Sequence, residues 1–232
     1  MHIEPPNTKL ESFKDFAKHY LMIVLSILTA LGLEAWIEHT HHVHAAATAS
    51  AQIEAEIRQN LMTAEHDRTY DLERMHALEK LRDELQSDIQ AKLPDATILQ
   101  RVRTELGPRG LYLDVRTPAL RHEAWDVAVA NQSAGWIDNA SLHRFSAIYA
   151  AQAWCTRTIT EDTRIVLDGP RMFDAMMKLR TGDIQPDQLV LVVNQMYATT
   201  EETSAILRNL IGTIRETMPT LGVAPTQPVA AH

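Results

Sequence analysis

An apolar run near the N-terminus constrains this chain more than any other feature. The run from Leu21 to Leu33 contains no charged residue. With its amphipathic ends it covers residues 16–37, which amount to about 33 Å of helix at ~1.5 Å per residue. The hydrocarbon core of a bilayer is about 30 Å thick. The sequence therefore predicts a transmembrane helix over residues 16–37.

Two aromatic residues mark the predicted ends of this span. Tyr20 lies near its start and Trp36 near its end, as expected of the aromatic belts at membrane–water interfaces. Two alternatives stay open. A signal peptide would be cleaved close behind the apolar run, whereas the Ala47-Thr-Ala49 sequence lies well beyond it. A buried core helix would carry a one-sided apolar stripe, whereas this run is apolar on all faces.

Positive charges predict the orientation of the span. Lys9, Lys14 and Lys18 precede the apolar run Leu21–Leu33, and the next Lys or Arg after the run is Arg58. Loops rich in Lys and Arg stay on the cytoplasmic side of a membrane. We therefore expect residues 1–15 to form a cytoplasmic tail and the bulk of the chain to lie outside the cytoplasm.

Four histidines crowd directly behind the span: His39, His41, His42 and His44. Neutral imidazole is a common metal ligand, so these residues form a candidate site for a divalent metal. One helix does not readily direct four ligands at one ion, but copies of the helix in an oligomer do. The alternative is a polar, titratable collar at the membrane surface.

A long helix is predicted behind the histidines. From Ile53 onwards, apolar residues recur at spacings of three and four, which indicates an amphipathic helix, and Pro94 ends the pattern. We expect one helix, or two nearly collinear ones, to form a stalk over residues 38–94. Asp88 and Lys92 interrupt the heptads, so the helix is expected to pack on its own domain rather than in a long coiled coil.

The remaining chain predicts a helical head over residues 95–218. With the span and the stalk, this gives an all-α protein with a bundle of about six helices. Pro186 opens the last long helix, and residues 219–232 predict a disordered tail. Turn-forming residues separate the helices at four places: 107–110, 135, 168–170 and 181–183.

Finer features are predicted inside the head. Residues 111–115 alternate in polarity and predict a short extended segment. Thr117 as N-cap and Pro118 at the first helical position predict a helix that reaches about Asn131. Asn139 is the predicted cap of the following helix.

The sequence carries no catalytic signature. His122-Glu123 begins like a zinc-protease motif, but residue 126 is Asp where that motif needs His. Cys155 has no neighbouring base and is expected to be a small buried residue, the alternative being a link between two subunits. Two pairs have the spacing of di-iron ligands but lie on one helix: Glu38 with His41, and Glu73 with His76. We therefore expect no enzyme, and no cofactor beyond a divalent metal at the histidines.

Three tryptophans recur in the head, namely Trp125, Trp136 and Trp154. Large aromatic side chains are usually core anchors in a helical bundle. The alternative is a cavity lined by tryptophan that binds a small molecule.

A resemblance adds to this interpretation. It is carried by four stretches of the chain: residues 19–37 with Trp36 near the end, residues 53–61, Trp125 followed by 135–137, and Phe145 with Tyr149. In these stretches the chain resembles an uncharacterised bacterial family of small, single-span, membrane-anchored helical proteins. The histidine cluster departs from that family. The resemblance implies a topology in the bacterial inner membrane, with a periplasmic head, and it implies no activity.

These observations predict a non-enzymatic scaffold or protein-interaction module. Its partners are expected to be the lipid bilayer and either a second copy or another envelope protein. The net charge of −8 argues against nucleic acid as a partner, because phosphate binding needs a basic surface. The alternative is a membrane subunit that senses a metal or a small molecule through the histidines or a Trp-lined cavity.

Overall fold

The computed structural model describes residues 13–107, 110–112, 114–166 and 169–219. The predicted all-α class is confirmed: the described residues contain six helices and a 3-10 turn, Ser133–Trp136, without a strand. Nearly all of the two predicted tails, 1–15 and 219–232, lies outside them. The helices are α1 (Phe13–Gln90), α2 (Asp95–Leu106), α3 (Glu123–Ala130), α4 (Asn139–Val166), α5 (Gly169–Thr181) and α6 (Pro186–Thr217).

The first helix, α1, is continuous over 78 residues, or about 117 Å at ~1.5 Å per residue. It contains a segment that is long and apolar enough to cross a membrane, and no residue of that segment is buried inside the fold. From Phe16 onwards, the first buried side chain on α1 is that of Ala46. The alternative of a buried core helix over residues 16–37 is therefore wrong.

Beyond Ala46, α1 is the central helix of the head. Its first apolar stretch, around Ile53 and Ile57, packs with α3, α4 and the second half of α6. This core is the one closer along α1 to residues 16–37 and is called the near core. The second stretch of α1, around Leu81 and Leu85, packs in a far core with α2, α5 and the first half of α6. The predicted division between a stalk and a separate head at residue 94 is therefore wrong, because the stalk helix is inside the head.

A polar layer separates the two cores. Asp67 and Asp71 of α1 are buried there, opposite a row of buried hydroxyl side chains on α6: Thr199, Thr200, Thr203 and Ser204. Asp71 Oδ2 has no hydrogen-bond partner in the described part of the chain. Burial raises the pKa of Asp71 to about 6, because desolvation disfavours the charged carboxylate.

An extended segment, described at residues 110–112 and 114–122, runs back along α1 from the far core to the near core. Arg74 donates to the carbonyl of Tyr112 at 2.6 Å, Asp71 Oδ1 accepts the backbone N–H of Arg116 at 3.1 Å, and Asn60 Oδ1 accepts that of Arg121 at 2.9 Å. The predicted helix start at Thr117 is wrong, since α3 begins at Glu123. The Arg121 N–H donates to Asn60, whereas in a helix that began at Thr117 it would donate to a backbone carbonyl of that helix.

Candidate ligand groove between α3 and α4

A groove of about 560 Å³ opens where the end of the extended segment and α3 face α4. Its lining combines apolar, aromatic and charged side chains from both sides: Leu120, Arg121, His122, Trp125, Tyr149, Gln152, Ala153, Thr156, Arg157, Thr160 and Glu161. The near core beneath the groove holds both of its walls against α1.

A buried amide network lies beneath the groove. Asn60 of α1 donates to the carbonyl of Arg121 at 2.7 Å and to Gln152 Oε1 at 3.1 Å. Asn60 and Gln152 are 0% and 3% exposed. Gln152 Nε2 is buried and has no hydrogen-bond partner among the described residues. An unsatisfied buried donor costs about 1–3 kcal/mol, so a ligand acceptor that reached it would recover part of that free energy.

The aromatic wall of the groove is fixed by a half-buried carboxylate, that of Glu56. Glu56 accepts a hydrogen bond from the Tyr149 hydroxyl and another, at 2.9 Å, from the backbone N–H of Ala124 in the first turn of α3. The rings of Trp125 and Tyr149 stack at 5.3 Å. Burial, together with the carboxylate of Glu56, raises the pKa of Tyr149, so the phenol stays protonated and acts as a donor.

The rim of the groove carries both signs of charge. His122 Nδ1 lies 2.6 Å from Asp126 Oδ2, and both side chains are exposed. The hydrogen bond to Asp126 and its negative charge raise the pKa of His122. Arg157 and Glu161 stand on the opposite wall. Apolar and aromatic side chains in the lining, combined with a mixed polar rim, are typical of a recognition surface.

The groups around the groove do not form a catalytic constellation. Cys155 is fully buried in the near core, as expected of a small core residue, and burial raises the pKa of its thiol to about 11. Thiols react as thiolates, so this one is inert. Tyr149 is held protonated, and no nucleophile stands beside a base among the described lining residues.

The four histidines do not converge. His39, His41 and His44 are exposed on α1. His42 stacks on Trp136 at 3.6 Å between ring centroids, with its Nε2 3.5 Å from Glu38 Oε1. No three His, Cys, Asp or Glu side chains in the described residues form a group that fits a metal. A metal shared between copies of the chain stays a prediction.

The three tryptophans of the head lie in three different places. Trp125 lines the groove. Trp136 stands at the near end of the head against His42, and Trp154 is 46% exposed on α4 outside the groove lining. Of these three tryptophans, Trp125 alone lines the groove, and a small-molecule site at Trp125 stays a prediction. Tyr20 and Trp36, the predicted ends of the span, are each 63% exposed on the unpacked part of α1.

Sequence reasoning missed the residues that build the groove floor. One signal was available: Asn60 falls on the stripe formed by Ile53, Ile57 and Ala64, where a polar residue needs a buried partner. Its partner Gln152 is 92 positions away. A single sequence offers no means of joining the two.

Comparison of the chain with known protein families, characterised proteins and solved structures gives no match. The resemblance to the single-span bacterial family thus rests on the residues that carry it. What the chain does must be inferred from its own apolar segment and its own groove.

Proposed function

We propose that this chain is a single-pass membrane protein whose helical head binds another envelope protein, as a non-enzymatic scaffold. One observation carries the membrane part. Residues 16–37 form an apolar helix that the fold leaves uncovered, with Leu21 and Leu28 68% and 60% exposed. Soluble proteins rarely expose apolar patches larger than a few hundred Å². A bilayer provides the solvent that such a surface needs.

The proposed topology places the head in the periplasm of a bacterial inner membrane. It is supported by the three lysines before the apolar run Leu21–Leu33 and by the absence of Lys and Arg between that run and Arg58. Alkaline phosphatase fused to the C-terminus tests it, because that enzyme needs the oxidising compartment for its disulfides. We expect an active fusion. An inactive phosphatase fusion together with a fluorescent cytoplasmic reporter at the same position would reverse the orientation.

The groove is the proposed contact for the partner. Its mixed rim charges suit a polypeptide segment, and the free donor at Gln152 Nε2 suits a main-chain carbonyl. Two alanines of α4 make a matched test. Ala153 lines the groove, whereas Ala147 is equally in the exposed class and lies about 120° away around the helix.

A photo-crosslinking amino acid at each position distinguishes the groove from the rest of α4. We expect one discrete protein adduct in native membranes from position 153 and none from position 147. Gln152→Leu, which removes the free donor, is expected to weaken the adduct at 153. Equal adducts from both positions, or none from either, would contradict a protein partner in this groove.

A second candidate function is sensing of a small molecule. The groove volume of about 560 Å³ supports it, because ligand pockets commonly measure about 300–1,000 Å³. The same variants separate the two functions. A metabolite extract that raises the unfolding temperature of the native protein but not of Gln152→Leu, with no protein adduct at position 153, would favour the sensor.

A further inference from the structure

We infer that the head touches the bilayer a second time, through the indole of Trp136 seated in the lipid headgroup layer. This contact rests on the proposed membrane anchor and adds to it. It makes the head a body that lies on the membrane surface rather than one held away from it by a stalk.

The height of Trp136 follows from its partner on α1. His42 comes five residues after Ile37, the end of the span, which places it about 7.5 Å further along the helix. The polar layer on each side of a bilayer is about 5–8 Å thick, given ~30 Å of hydrocarbon and ~40–45 Å in total. Trp136 stacks on His42 at 3.6 Å, so its indole stands at the outer part of this layer.

The turn that carries Trp136 holds the indole rigidly. Ser133, Ala134 and Ile137 are buried in the head, whereas Trp136 is 54% exposed. Half-exposed indoles are favoured in the interface, where one end of the ring is wet and the other apolar. Bulk water does not stabilise an exposed indole in this way.

The contact is apolar rather than electrostatic. No Lys or Arg occurs on α1 between Lys18 and Arg58, and the charged neighbour of His42 is Glu38 at 3.5 Å. Attraction to anionic lipid requires basic side chains. The insertion of Trp136 is therefore expected in zwitterionic vesicles and to be insensitive to salt.

Trp154 provides a matched control at a different height. It is 46% exposed, close to the value for Trp136. It lies two residues from Gln152, whose side chain bonds to Asn60. Asn60 is 23 positions beyond Ile37 on α1, or about 35 Å at ~1.5 Å per residue. Exposure is thus nearly equal, and only distance from the bilayer differs.

Quenching by brominated lipid tests the contact. Three full-length variants each keep one tryptophan, Trp36, Trp136 or Trp154, with Phe at the other positions. They are reconstituted into phosphatidylcholine vesicles with bromine near the top of the acyl chains. We expect strong quenching of Trp36, quenching of Trp136 that exceeds that of Trp154 by about twofold or more, and little quenching of Trp154.

The outcomes separate this contact from the anchor itself. Quenching of Trp36 with Trp136 no more quenched than Trp154 would overturn the second contact and leave the anchor standing. Absence of quenching from Trp36 would overturn the anchor, and the contact with it. If a multiple variant fails to fold by circular dichroism, single substitutions in the natural chain answer the question. Trp136→Phe is then expected to reduce the quenchable emission and Trp154→Phe to leave it unchanged, and the reverse result overturns the contact.

Discussion

The two parts of α1 face different surroundings with the same backbone. Up to Val43 almost every side chain is exposed, and from Ala46 an apolar stripe is buried in two cores. Leu28 is 60% exposed in the first part and Met62 is 58% exposed in the second. The same exposed fraction therefore describes two different surroundings. Leu28 is one of many exposed apolar neighbours, whereas Met62 stands alone on a polar face.

The difference also explains why a single helix can serve both parts. In lipid, an unpacked segment stays helical because its backbone groups have no water to bond with. In the head, the helix is stabilised by burial of its stripe, since isolated helices gain little from propensity alone. In the proposed topology the chain needs no break at the membrane surface, because the helical backbone satisfies both environments.

A charged side chain placed in each part of α1 should give the largest difference between the two parts. Leu28→Arg is expected to cost about 3–4 kcal/mol of membrane insertion, because Arg at a helix centre is disfavoured and Leu favoured. The short apolar run leaves little reserve against such a loss. Fractionation of cells should show the protein shift from the membrane fraction to the soluble or degraded fraction.

Met62→Arg is the control for that substitution. Its side chain points to water, so both membrane retention and stability should change by less than about 0.5 kcal/mol. Equal loss of membrane retention in the two variants would mean that residues 16–37 do not lie in lipid.

Truncation of a buried side chain should affect only the second part. Ile57→Ala removes a fully buried side chain from the near core and is expected to destabilise the head by about 2–5 kcal/mol. Leu28→Ala should leave the head's unfolding unchanged. Urea unfolding in mild detergent, followed by circular dichroism, measures both. A similar shift of the midpoint in the two variants would contradict the separation of the parts.

The polar layer between the two cores should give a smaller effect that depends on pH. Because burial raises the pKa of Asp71 from an ordinary value near 4 to about 6, the folded state binds the proton more tightly than the unfolded state. Stability is therefore greatest below pH 4 for this group and falls as pH rises through 6. Asp71→Asn keeps an acceptor for the Arg116 N–H and should be about 1–3 kcal/mol more stable than the natural chain at pH 7.

That advantage should shrink on acidification and vanish near pH 4. Chemical unfolding at several pH values measures it, with Asp67→Asn, its buried neighbour on α1, as a comparison. A stability difference that is independent of pH between 4 and 7 would show that Asp71 is not protonated in this window.

The smallest expected effect concerns the reactivity of Cys155. Its thiol is buried and burial raises its pKa to about 11, so a thiol reagent at pH 7.5 should leave it unmodified in the folded head. Cysteine placed at the exposed position of Ala153, in a Cys155→Ala background, should react fully. Rapid modification of Cys155 without denaturant would indicate that the near core opens.

Local patterns predicted most of the helices, and tertiary contacts account for what they missed. Pro94, Gly107, Gly182 and Pro186 bound helices as expected; φ is +62° at Gly107 and +93° at Gly182, conformations that favour glycine. The predicted cap of α4, Asn139, is wrong by one position. The side chain of Asp138 accepts the Ser141 N–H instead.

Local sequence patterns could not predict the groove. It depends on Asn60, Arg121 and Gln152 meeting across separations of 61 and 92 positions, and on Glu56 reaching Tyr149. The stalk was misassigned for the same reason. Spacing indicates that one face of α1 is apolar, but not which other helices cover it.

Alkaline carbonate extraction of native membranes tests the membrane insertion of residues 16–37 most directly. Carbonate strips peripheral proteins and leaves those whose segments cross the hydrocarbon core. The unaltered chain is predicted to stay in the membrane pellet and to be released by detergent. Recovery in the carbonate supernatant, as a protein that stays monodisperse without detergent, would contradict the anchor.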